Sequence, residues 1–338
     1  MDLQLEHDVA LDAMNTFGVA ARAARLVRVH DARAVRRLVD DPQLGTAPKL
    51  ILGGGSNLLL TRDPTQLVVK VEIGGVRVLR DDAEACVVEA GAGVRWHELV
   101  SWTLQRGLPG LENLALIPGT VGAAPVQNIG AYGVELAERF ESLDAVDLTT
   151  GREVTLSAAA CRFGYRDSLF KRELAGKSVI TRVRLRLARP WVPQIGYADL
   201  ARRFAHAPAP DAQQVFDAVC QIRRAKLPDP AVLGNAGSFF KNPVVNRSIR
   251  NEILQEYPEI VSYPLADGSY KLAAAWMIDA CGWKGRALGR AAVDSRHALV
   301  LVNLGGASGE EIVALAEAVR AAVRSKFGIG LEYEPVVV

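Results

Sequence analysis

Apolar and polar positions alternate along the chain in two periods, which predict short strands and amphipathic helices. Dense apolar runs predict strands at residues 48–52, 67–71, 85–90, 143–149, 178–187 and 298–303. Apolar positions three and four apart predict helices at 31–40 after a capping Asp31, at 94–106 before Gly107, at 271–281 before Gly282, and after Asp211 and Ser308. Strands and helices mixed in this way predict an α+β architecture.

The two helices predicted after Asp211 and Ser308 also have a recognisable pattern at their N-terminal ends. Gln214 follows Asp211 by three positions, and Glu311 follows Ser308 by three, which is the spacing of a capping box. The helix after Asp211 should end before Leu227-Pro228, because the residue before a proline avoids helical geometry. A stop at Gly328 is expected for the helix after Ser308, with Ile312, Leu315, Val319 and Val323 facing inward.

The length of the chain bears on its division into domains. A chain of 338 residues predicts roughly two to three domains rather than one core. The segment 205–211, A-H-A-P-A-P-D, has the composition of a connector. A strand-rich block precedes it, and a block with several helices follows it.

Charge and hydropathy exclude several classes of partner. The net charge is +2, so no overall field favours nucleic acid or an anionic membrane. The alternation of Arg182, Arg184 and Arg186 with apolar residues predicts a half-buried strand with a solvated arginine face, not a nucleic-acid surface. No signal-peptide pattern and no apolar run of about 18 residues is present. A soluble cytoplasmic protein is expected.

The cysteines do not suggest a metal site or a disulfide framework. The four of them lie far apart, without a C-x-x-C motif, at positions 86, 161, 220 and 281. Reduced, buried thiols are the expectation.

A glycine-rich segment at 53–57, G-G-G-S-N, directly follows a predicted strand. Glycines let backbone amides turn inward and approach phosphate oxygens. The segment lacks the lysine of a phosphate-binding P-loop, and it does not match the dinucleotide fingerprint G-x-G-x-x-G. A phosphate-containing ligand and a simple turn between strands are both compatible with these residues alone.

A second segment at 117–133, I-P-G-T-V-G-A-A-P-V-Q-N-I-G-A-Y-G, holds four glycines and two prolines. Ordering such a segment costs conformational entropy unless the backbone lies close to something flat or anionic. Two such segments suit a large two-part ligand such as a dinucleotide.

The segment 233–243, L-G-N-A-G-S-F-F-K-N-P, fits neither the helix nor the strand period. Its glycines and Asn-Pro pair are turn signals. We expect a shaped loop that presents Ser238, Lys241 and Asn242 to a ligand. The alternative is an ordinary loop with Phe239 and Phe240 as apolar plugs.

These segments, together with F-G-Y-R-D-S at 163–168, closely resemble the UDP-N-acetylenolpyruvoylglucosamine reductase family, in order, from Asn15 to Glu334. These are flavoenzymes that make UDP-N-acetylmuramate for bacterial peptidoglycan. The motif G-Y-A-D-L at 196–200 resembles the first type of the family, which has a mobile tyrosine loop. The resemblance implies an FAD-binding fold of the vanillyl-alcohol-oxidase type with a separate α+β substrate-binding domain. It implies FAD-binding subdomains at 1–68 plus 328–338 and at 69–210, with the substrate-binding domain at 211–327.

The resemblance also implies the chemistry. NADPH reduces non-covalently bound FAD, and a hydride then passes to C3 of the enolpyruvyl group. Ser238 would donate a proton to C2, with Lys241 as a physically reasonable helper. Arg166 would pair with the substrate carboxylate and stabilise the enolate, or otherwise pair with an acid such as Asp167. Glu334 matches the catalytic glutamate near that carboxylate, with Glu332 as the rival.

Further roles follow from the same resemblance. The residues expected to bind FAD are Gly53, Gly54, Gly55, Ser56, Asn57, Pro118, Gly119, Gly122, Ala123, Gln127, Asn128, Gly130, Ala131 and Tyr132. The residues expected to bind substrate are Tyr165, Tyr197, Arg223, Lys226, Asn242 and His297. Arg223 and Arg224 could instead form a solvated helix face, and Tyr165 could be purely structural. Relatives often have glutamine at the position of His297, so we expect retained activity with an altered pH dependence.

The expected partners are small molecules, namely UDP-N-acetylglucosamine enolpyruvate and NADPH, with no nucleic acid, no membrane and a monomeric state. Two alternatives differ in kind: a nucleotide-sugar binding protein without catalysis, and a flavin oxidase that acts on another substrate. The presence together of Arg166, Ser238 and Glu334 argues against the binding protein.

Overall fold

The computed structural model describes residues 3–206 and 209–338. Contacts group the chain into two compact units. The first comprises residues up to Val9, Arg22–Gly55 and Pro64–Ala225, and the second comprises Ala10–Ala21, Ser56–Asp63 and Lys226–Val338. The division into three domains stays a prediction. Residues 207 and 208 of the predicted connector lie outside the described residues.

The strands are numbered in chain order. They are β1 Leu5–Ala10, β2 Arg22–Val29, β3 Lys49–Leu52, β4 Leu58–Leu59, β5 Leu67–Val71, β6 Val76–Asp81, β7 Ala85–Gly91, β8 Gly130–Ala131, β9 Val134–Glu135, β10 Phe140–Asp147, β11 Glu153–Ser157, β12 Ser178–Ala188, β13 Asn235–Ser238, β14 Val244–Val245, β15 Ser262–Pro264, β16 Tyr270–Leu272, β17 Ala287–Leu288, β18 Ala291–Val293, β19 Val300–Asn303 and β20 Val336–Val337.

The α-helices are α1 Ala32–Asp40, α2 Trp96–Gln105, α3 Ala158–Cys161, α4 Ala198–Arg203, α5 Ala212–Lys226, α6 Arg247–Glu256, α7 Ala274–Ala280 and α8 Gly309–Phe327. Short 3₁₀ helices span Asp12–Met14, Glu112–Leu114, Leu136–Glu138 and Leu169–Lys171.

The first unit contains two main sheets. One has the strand order β1-β2-β5-β3, with β5 parallel to both β2 and β3. The other has the order β11-β10-β12-β7-β6 and is antiparallel throughout. Val27, Val69, Trp96, Leu185 and Val219 belong to one apolar core, so helix α5 packs with this unit.

The second unit contains smaller sheets with the orders β13-β19-β18-β17 and β14-β16-β15, and the parallel pair β20-β4. Its core includes Phe17, Phe239, Phe240, Met277 and Val319. The two phenylalanines of the segment 233–243 are thus fully buried, as the apolar-plug interpretation predicts.

Helix ends that depend on local chemistry agree with the sequence. Asp31 accepts a hydrogen bond from Ala34 N at the start of α1. Asp211 and Gln214 bond to each other's backbone amides, and the Ser308 and Glu311 box is formed as well. Helix α5 ends at Lys226, and α8 ends at Phe327 because the next residue, Gly328, has the left-handed φ of +69°.

Two predicted elements are wrong in part. The helix predicted at 271–281 begins only at Ala274, because Tyr270–Leu272 pair with β14 and β15 as strand β16. Residues 235–238 are a strand rather than a loop. Asn235 pairs with Val302 and Ser238 with Val300, and a bulge between the two pairs hides the strand period from the sequence.

The arginine face of β12 is solvated at Arg182, as expected, but is paired with acids at Arg184. Val183, Leu185 and Leu187 are buried as expected. Arg184, however, binds Glu89 at 2.9 Å and Asp144 at 2.5 Å, and its side chain is only 20% exposed. Ion pairing across neighbouring strands therefore accounts for the half-buried Arg184.

The cysteines are free thiols, of which Cys86, Cys161 and Cys220 are buried. Burial raises the pKa of Cys161 to about 12, so this thiol stays protonated at neutral pH. No helix in the described part of the chain combines the length and apolar character that a membrane span requires.

Candidate active site

In the first unit, the two glycine-rich segments lie against each other. A Cβ atom at Gly53 would lie 2.7 Å from Thr120 Oγ1, and one at Gly54 would lie 2.9 Å from the Cα atom of Gly119. Side chains at these positions would separate the segments. The glycines therefore do more than form a turn after β3, because they let two stretches of backbone form one surface.

Three of the predicted site residues have a left-handed backbone although they are not glycines. Asn128, Tyr132 and Arg166 have φ values of +43°, +49° and +54°. Such conformations cost about 1–2 kcal/mol per residue and persist where surrounding contacts enforce them. Strained residues of this kind cluster at functional sites, so the backbone supports the sequence-based choice of these three residues.

The side chain of Asn128 serves the fold. It is 1% exposed and donates to Glu135 Oε2 at 2.8 Å and to Gly164 O at 3.1 Å. Its Oδ1 accepts a hydrogen bond from Ala137 N at 2.9 Å. Both amide hydrogens are thus used inside the protein. The predicted FAD contact of Asn128 would have to come from its backbone.

Arg166 lies beside the second glycine-rich segment. Its Nη2 donates to Gly130 O at 2.9 Å. Its guanidinium also lies over the ring of Tyr165, 5.3 Å from the centroid, so the expected packing of these two residues is confirmed. Asp167 binds Arg172 at 2.9 Å. The anchor to Gly130 holds the cation in a defined place.

Tyr132, Tyr197 and Arg223 form a second group in the first unit. The two tyrosine rings meet edge to face with centroids 5.3 Å apart. Burial raises the pKa of Tyr132 to about 12. Arg223 Nε is buried and has no hydrogen-bond partner among the described residues, and burial lowers the pKa of this guanidinium. Arg223 is therefore not on a solvated helix face, whereas Arg224 is exposed.

In the second unit, Ser238 and Glu334 belong to adjacent segments. Ser238 ends β13, and the carbonyl of the next residue, Phe239, accepts a hydrogen bond from Glu334 N at 2.9 Å. Asn57 Nδ2 donates to Glu334 O at 3.3 Å. The carbonyl of Val338 accepts from Thr61 N at 2.7 Å. The C-terminal segment is thus anchored rather than frayed.

The rival glutamate has a different partner. Glu332 Oε2 binds Lys241 Nζ at 3.0 Å, and the Glu332 side chain is 76% exposed. This pair ties Lys241 to Glu332, which weakens the idea that Lys241 assists Ser238. It also favours Glu334 over Glu332 as the functional glutamate.

The remaining predicted substrate residues of this unit are Asn242, Lys226 and His297. Asn242 Oδ1 accepts a hydrogen bond from Ala274 N at 2.9 Å at the start of α7, which leaves the amide nitrogen for a ligand. The pKa of His297 is lowered by burial and by the charges of Lys226 and Lys284, against the raising effect of Asp294. His297 thus lies in a cationic environment.

Comparisons with known proteins agree with this arrangement. Residues 229–338 match the C-terminal domain of UDP-N-acetylenolpyruvoylglucosamine reductase, and residues 23–157 match an FAD-binding domain. The UDP-N-acetylenolpyruvoylglucosamine reductase of Burkholderia orbicola (strain MC0-3) is 57% identical over 338 residues, covering 99% of this chain and 97% of the relative. The chain belongs to the UDP-N-acetylenolpyruvoylglucosamine reductase family.

Other members support the assignment. The Paraburkholderia xenovorans (strain LB400) reductase is 58% identical over 330 residues, which cover 96% of this chain and 95% of the relative. The crystal structure of the reductase from Thermus caldophilus matches with a TM-score of 0.68 at 25% identity, covering 99% of both chains. The chain has the expected α+β architecture, with an FAD-binding domain followed by the separate C-terminal domain of this reductase family. It is an FAD-containing oxidoreductase.

The two glycine-rich segments of the first unit are suited to bind the FAD of this reductase family. Its segments 53–55 and 117–133 pack so closely that a Cβ at Gly53 or Gly54 would collide, which favours a group bound by backbone. The predicted FAD residues of the second segment all lie in this unit, namely Pro118, Gly119, Gly122, Ala123, Gln127, Asn128, Gly130, Ala131 and Tyr132. Ser56 and Asn57, also predicted to bind FAD, belong to the second unit.

Three residues that position parts of the site were missed from the sequence. Asn113 donates to the carbonyls of Tyr132 at 2.9 Å and Gln194 at 2.7 Å. Thr120 Oγ1 lies against Gly53. Lys70 Nζ donates to the carbonyl of Gly53. Only Lys70 has a sequence signal, since it is the one charged residue in the apolar strand L-V-V-K-V.

Proposed function

We propose that this chain catalyses the NADPH-dependent reduction of UDP-N-acetylglucosamine enolpyruvate to UDP-N-acetylmuramate in peptidoglycan precursor synthesis. Family membership supports the reaction class. The observation that carries the proposal is the hydrogen bond from Glu334 N to the carbonyl of Phe239, which places the predicted proton donor Ser238 and the predicted glutamate on adjacent segments.

The reaction adds a hydride at C3 and a proton at C2 of the enolpyruvyl group. FAD, when bound, supplies the hydride after reduction by NADPH. Ser238 donates the proton to C2. Because an isolated serine is a weak acid, a neighbouring acid or water must return a proton to it, and Glu334 is the acidic candidate. The C2 carbanion is delocalised into the carboxylate, and that charge needs a cation.

Arg166 supplies this cation. A guanidinium can bind a carboxylate through two parallel hydrogen bonds, which strengthen as charge accumulates on the enolate oxygen. The bond from Arg166 to Gly130 O and the stacking on Tyr165 support the role, since both restrict the guanidinium before substrate binds.

The other predicted substrate residues bind the UDP part. Lys226 and Asn242 contact the diphosphate and uridine, Arg223 adds positive charge, and His297 donates a hydrogen bond. Tyr197 closes over the diphosphate, as in the tyrosine-loop type of the family. Its 44% exposed ring and its place immediately before α4 support this role. The cytoplasmic location and the monomeric state stay predictions.

Anaerobic spectroscopy with Ser238→Ala tests the proposal. The wild-type protein should be yellow, be bleached by NADPH, and regain its colour when UDP-N-acetylglucosamine enolpyruvate is added. Ser238→Ala should be bleached by NADPH at the wild-type rate but regain colour about 10²–10⁴ times more slowly, because only protonation at C2 is lost. Ser269→Ala, which removes a hydroxyl that donates to Asp267 in the same unit, should behave as wild type.

Three outcomes would contradict the proposal. Recolouring of Ser238→Ala at the wild-type rate would remove Ser238 from the reaction. A colourless protein that FAD does not reconstitute would favour a nucleotide-sugar binding protein. Rapid reoxidation of the reduced flavin by oxygen would favour an oxidase.

A further inference from the structure

Lys70 is a half-buried lysine at the carboxyl end of a parallel strand. It lies on β5, where its register partner on β3 is Leu52, the residue immediately before Gly53. Its Nζ donates a hydrogen bond to the carbonyl of Gly53. Burial lowers the pKa of Lys70, which reflects how much water the ammonium has lost.

The bond to Gly53 fixes the direction of the next amide. In a trans peptide the C=O and N–H groups point in opposite directions. The peptide between Gly53 and Gly54 is trans, since the one cis peptide among the described residues precedes Pro190. The N–H of Gly54 therefore points away from Lys70. A lysine that holds the carbonyl thus also sets the orientation of an amide in the glycine-rich segment.

Neighbouring contacts make this orientation hard to change. Gly53 and Gly54 lie directly against Thr120 and Gly119 of the second segment. The nearby carboxylate of Glu72 is bound to Arg28 at 2.7 Å, and Arg95 adds positive charge to the surroundings of Lys70. The segment therefore presents an oriented backbone amide, a group that binds phosphate.

We propose that Lys70 is a positioning residue for FAD, holding the carbonyl of the Gly53–Gly54 peptide so that the N–H on its opposite side faces the cofactor diphosphate. The inference rests on FAD binding in the proposed function.

Lys49 offers a matched control. It is also half-buried, also lies in the same sheet, and also has a pKa lowered by burial. Its Nζ likewise donates to backbone carbonyls, those of Gly45 at 2.6 Å and Ala47 at 2.9 Å. These carbonyls, however, precede β3, whereas Gly53 follows it. If any half-buried lysine of this sheet supported FAD binding, Lys49 would do so as well as Lys70.

The test measures binding to apoprotein from which FAD has been removed. Lys70→Met should raise the dissociation constant of FAD about tenfold or more, since the Gly53–Gly54 peptide is no longer held in the orientation that binds the diphosphate. The dissociation constant of riboflavin, which lacks phosphate, should change less than about twofold, and Lys49→Met should leave FAD binding within about twofold of wild type. Lys70→Arg, which keeps the charge, should bind FAD more tightly than Lys70→Met.

The outcomes separate this inference from the proposed function. Wild-type apoprotein that does not bind FAD would overturn the flavoenzyme assignment. Wild-type and Lys70→Met apoproteins that bind FAD equally would overturn only the role of Lys70, as would equal losses for FAD and riboflavin. If Lys70→Met is poorly folded by circular dichroism, Lys70→Ala also removes the donor to Gly53 and is judged by the same comparison of FAD with riboflavin.

Discussion

The candidate cofactor surface of the first unit consists mainly of backbone, whereas the candidate catalytic groups of the second unit are side chains. Gly54 illustrates the first case, because a Cβ there would lie 2.9 Å from the backbone of Gly119. Gly237 illustrates the second case. It has a φ of +71°, and a Cβ there would meet nothing within 4 Å. Gly54 is required because two stretches of backbone approach each other closely there. Gly237 is required only because the backbone before Ser238 is left-handed.

The difference corresponds to two kinds of ligand recognition. A cofactor diphosphate can be bound by amides that glycines bring within reach. A reacting enol ether needs groups that donate a proton or carry charge at defined atoms. Arg166 is the one predicted catalytic residue of the first unit. It has a strained backbone, and its side chain is anchored to the backbone of the glycine-rich segment.

The largest expected effect is on the two glutamates of the second unit. Glu334→Gln should lower kcat about 10²–10⁴-fold, because it removes a proton donor. Glu332→Gln should leave kcat nearly unchanged and cost at most about 1 kcal/mol of stability, since it breaks an exposed ion pair with Lys241. Steady-state kinetics and thermal unfolding measure both. Equal losses of kcat would break the assignment of side-chain chemistry to Glu334.

The next largest effect concerns Arg166. Arg166→Met should lower kcat/KM by about 10²-fold or more, because the carboxylate and the developing enolate lose their cation. FAD content, read from the absorption spectrum, should stay close to that of wild type. Arg172→Met is the control, since Arg172 is a partly exposed partner of Asp167 and Glu173. A kcat/KM unchanged in Arg166→Met would remove the one predicted catalytic residue from the first unit.

A smaller effect tests the glycines themselves. Gly54→Ala should raise the dissociation constant of FAD roughly 10–100-fold, since overpacking against the Gly119 backbone costs about 1–3 kcal/mol. Gly237→Ala should leave FAD affinity near that of wild type and lower stability by about 1–2 kcal/mol through left-handed strain alone. Fluorescence titration of apoprotein and thermal unfolding distinguish the two. If FAD binding fell equally in both variants, the contrast between the two units would be lost.

The sequence predicted the parts of this fold that depend on neighbouring residues. The capping boxes at Asp211 and Ser308 and the stop at Gly328 are confirmed, because their partners lie within four positions. The start of α7 was wrong because Tyr270–Leu272 pair with strands remote in sequence. The strand that ends at Ser238 was missed for a similar reason, since it is defined by partners on β19.

The same limit applies to the candidate site. Motifs supplied the names of Arg166, Ser238 and Glu334, but not their partners. The pair between Lys241 and Glu332 joins residues 91 positions apart, and no local pattern predicts it. Asn113, which holds the carbonyl of Tyr132 from 19 positions away, lies in no motif. Positioning contacts of this kind arise from tertiary structure.

The smallest expected effect comes from a pair of histidines, one in each unit. Burial is the main reason that the pKa of His297 and the pKa of His97 are both lowered from 6.5. Lys226 and Lys284 add to the effect at His297, and Arg224 and Arg223 add to it at His97. In the unfolded chain each imidazole takes up a proton near its ordinary pKa, while in the folded protein it stays neutral to lower pH. Stability should therefore fall as the pH falls below that ordinary value.

Glutamine at either position removes this proton uptake. His297→Gln and His97→Gln should each flatten the fall in unfolding free energy between pH 7.5 and 5.5, by up to about 1.4 kcal/mol per pH unit, as measured by urea unfolding. The two variants should differ in catalysis. Only His297→Gln should change the acidic limb of the pH–rate profile, because only His297 is proposed to contact substrate. An unchanged profile in His297→Gln, or equal changes in both variants, would reduce His297 to a buried histidine whose titration affects stability alone.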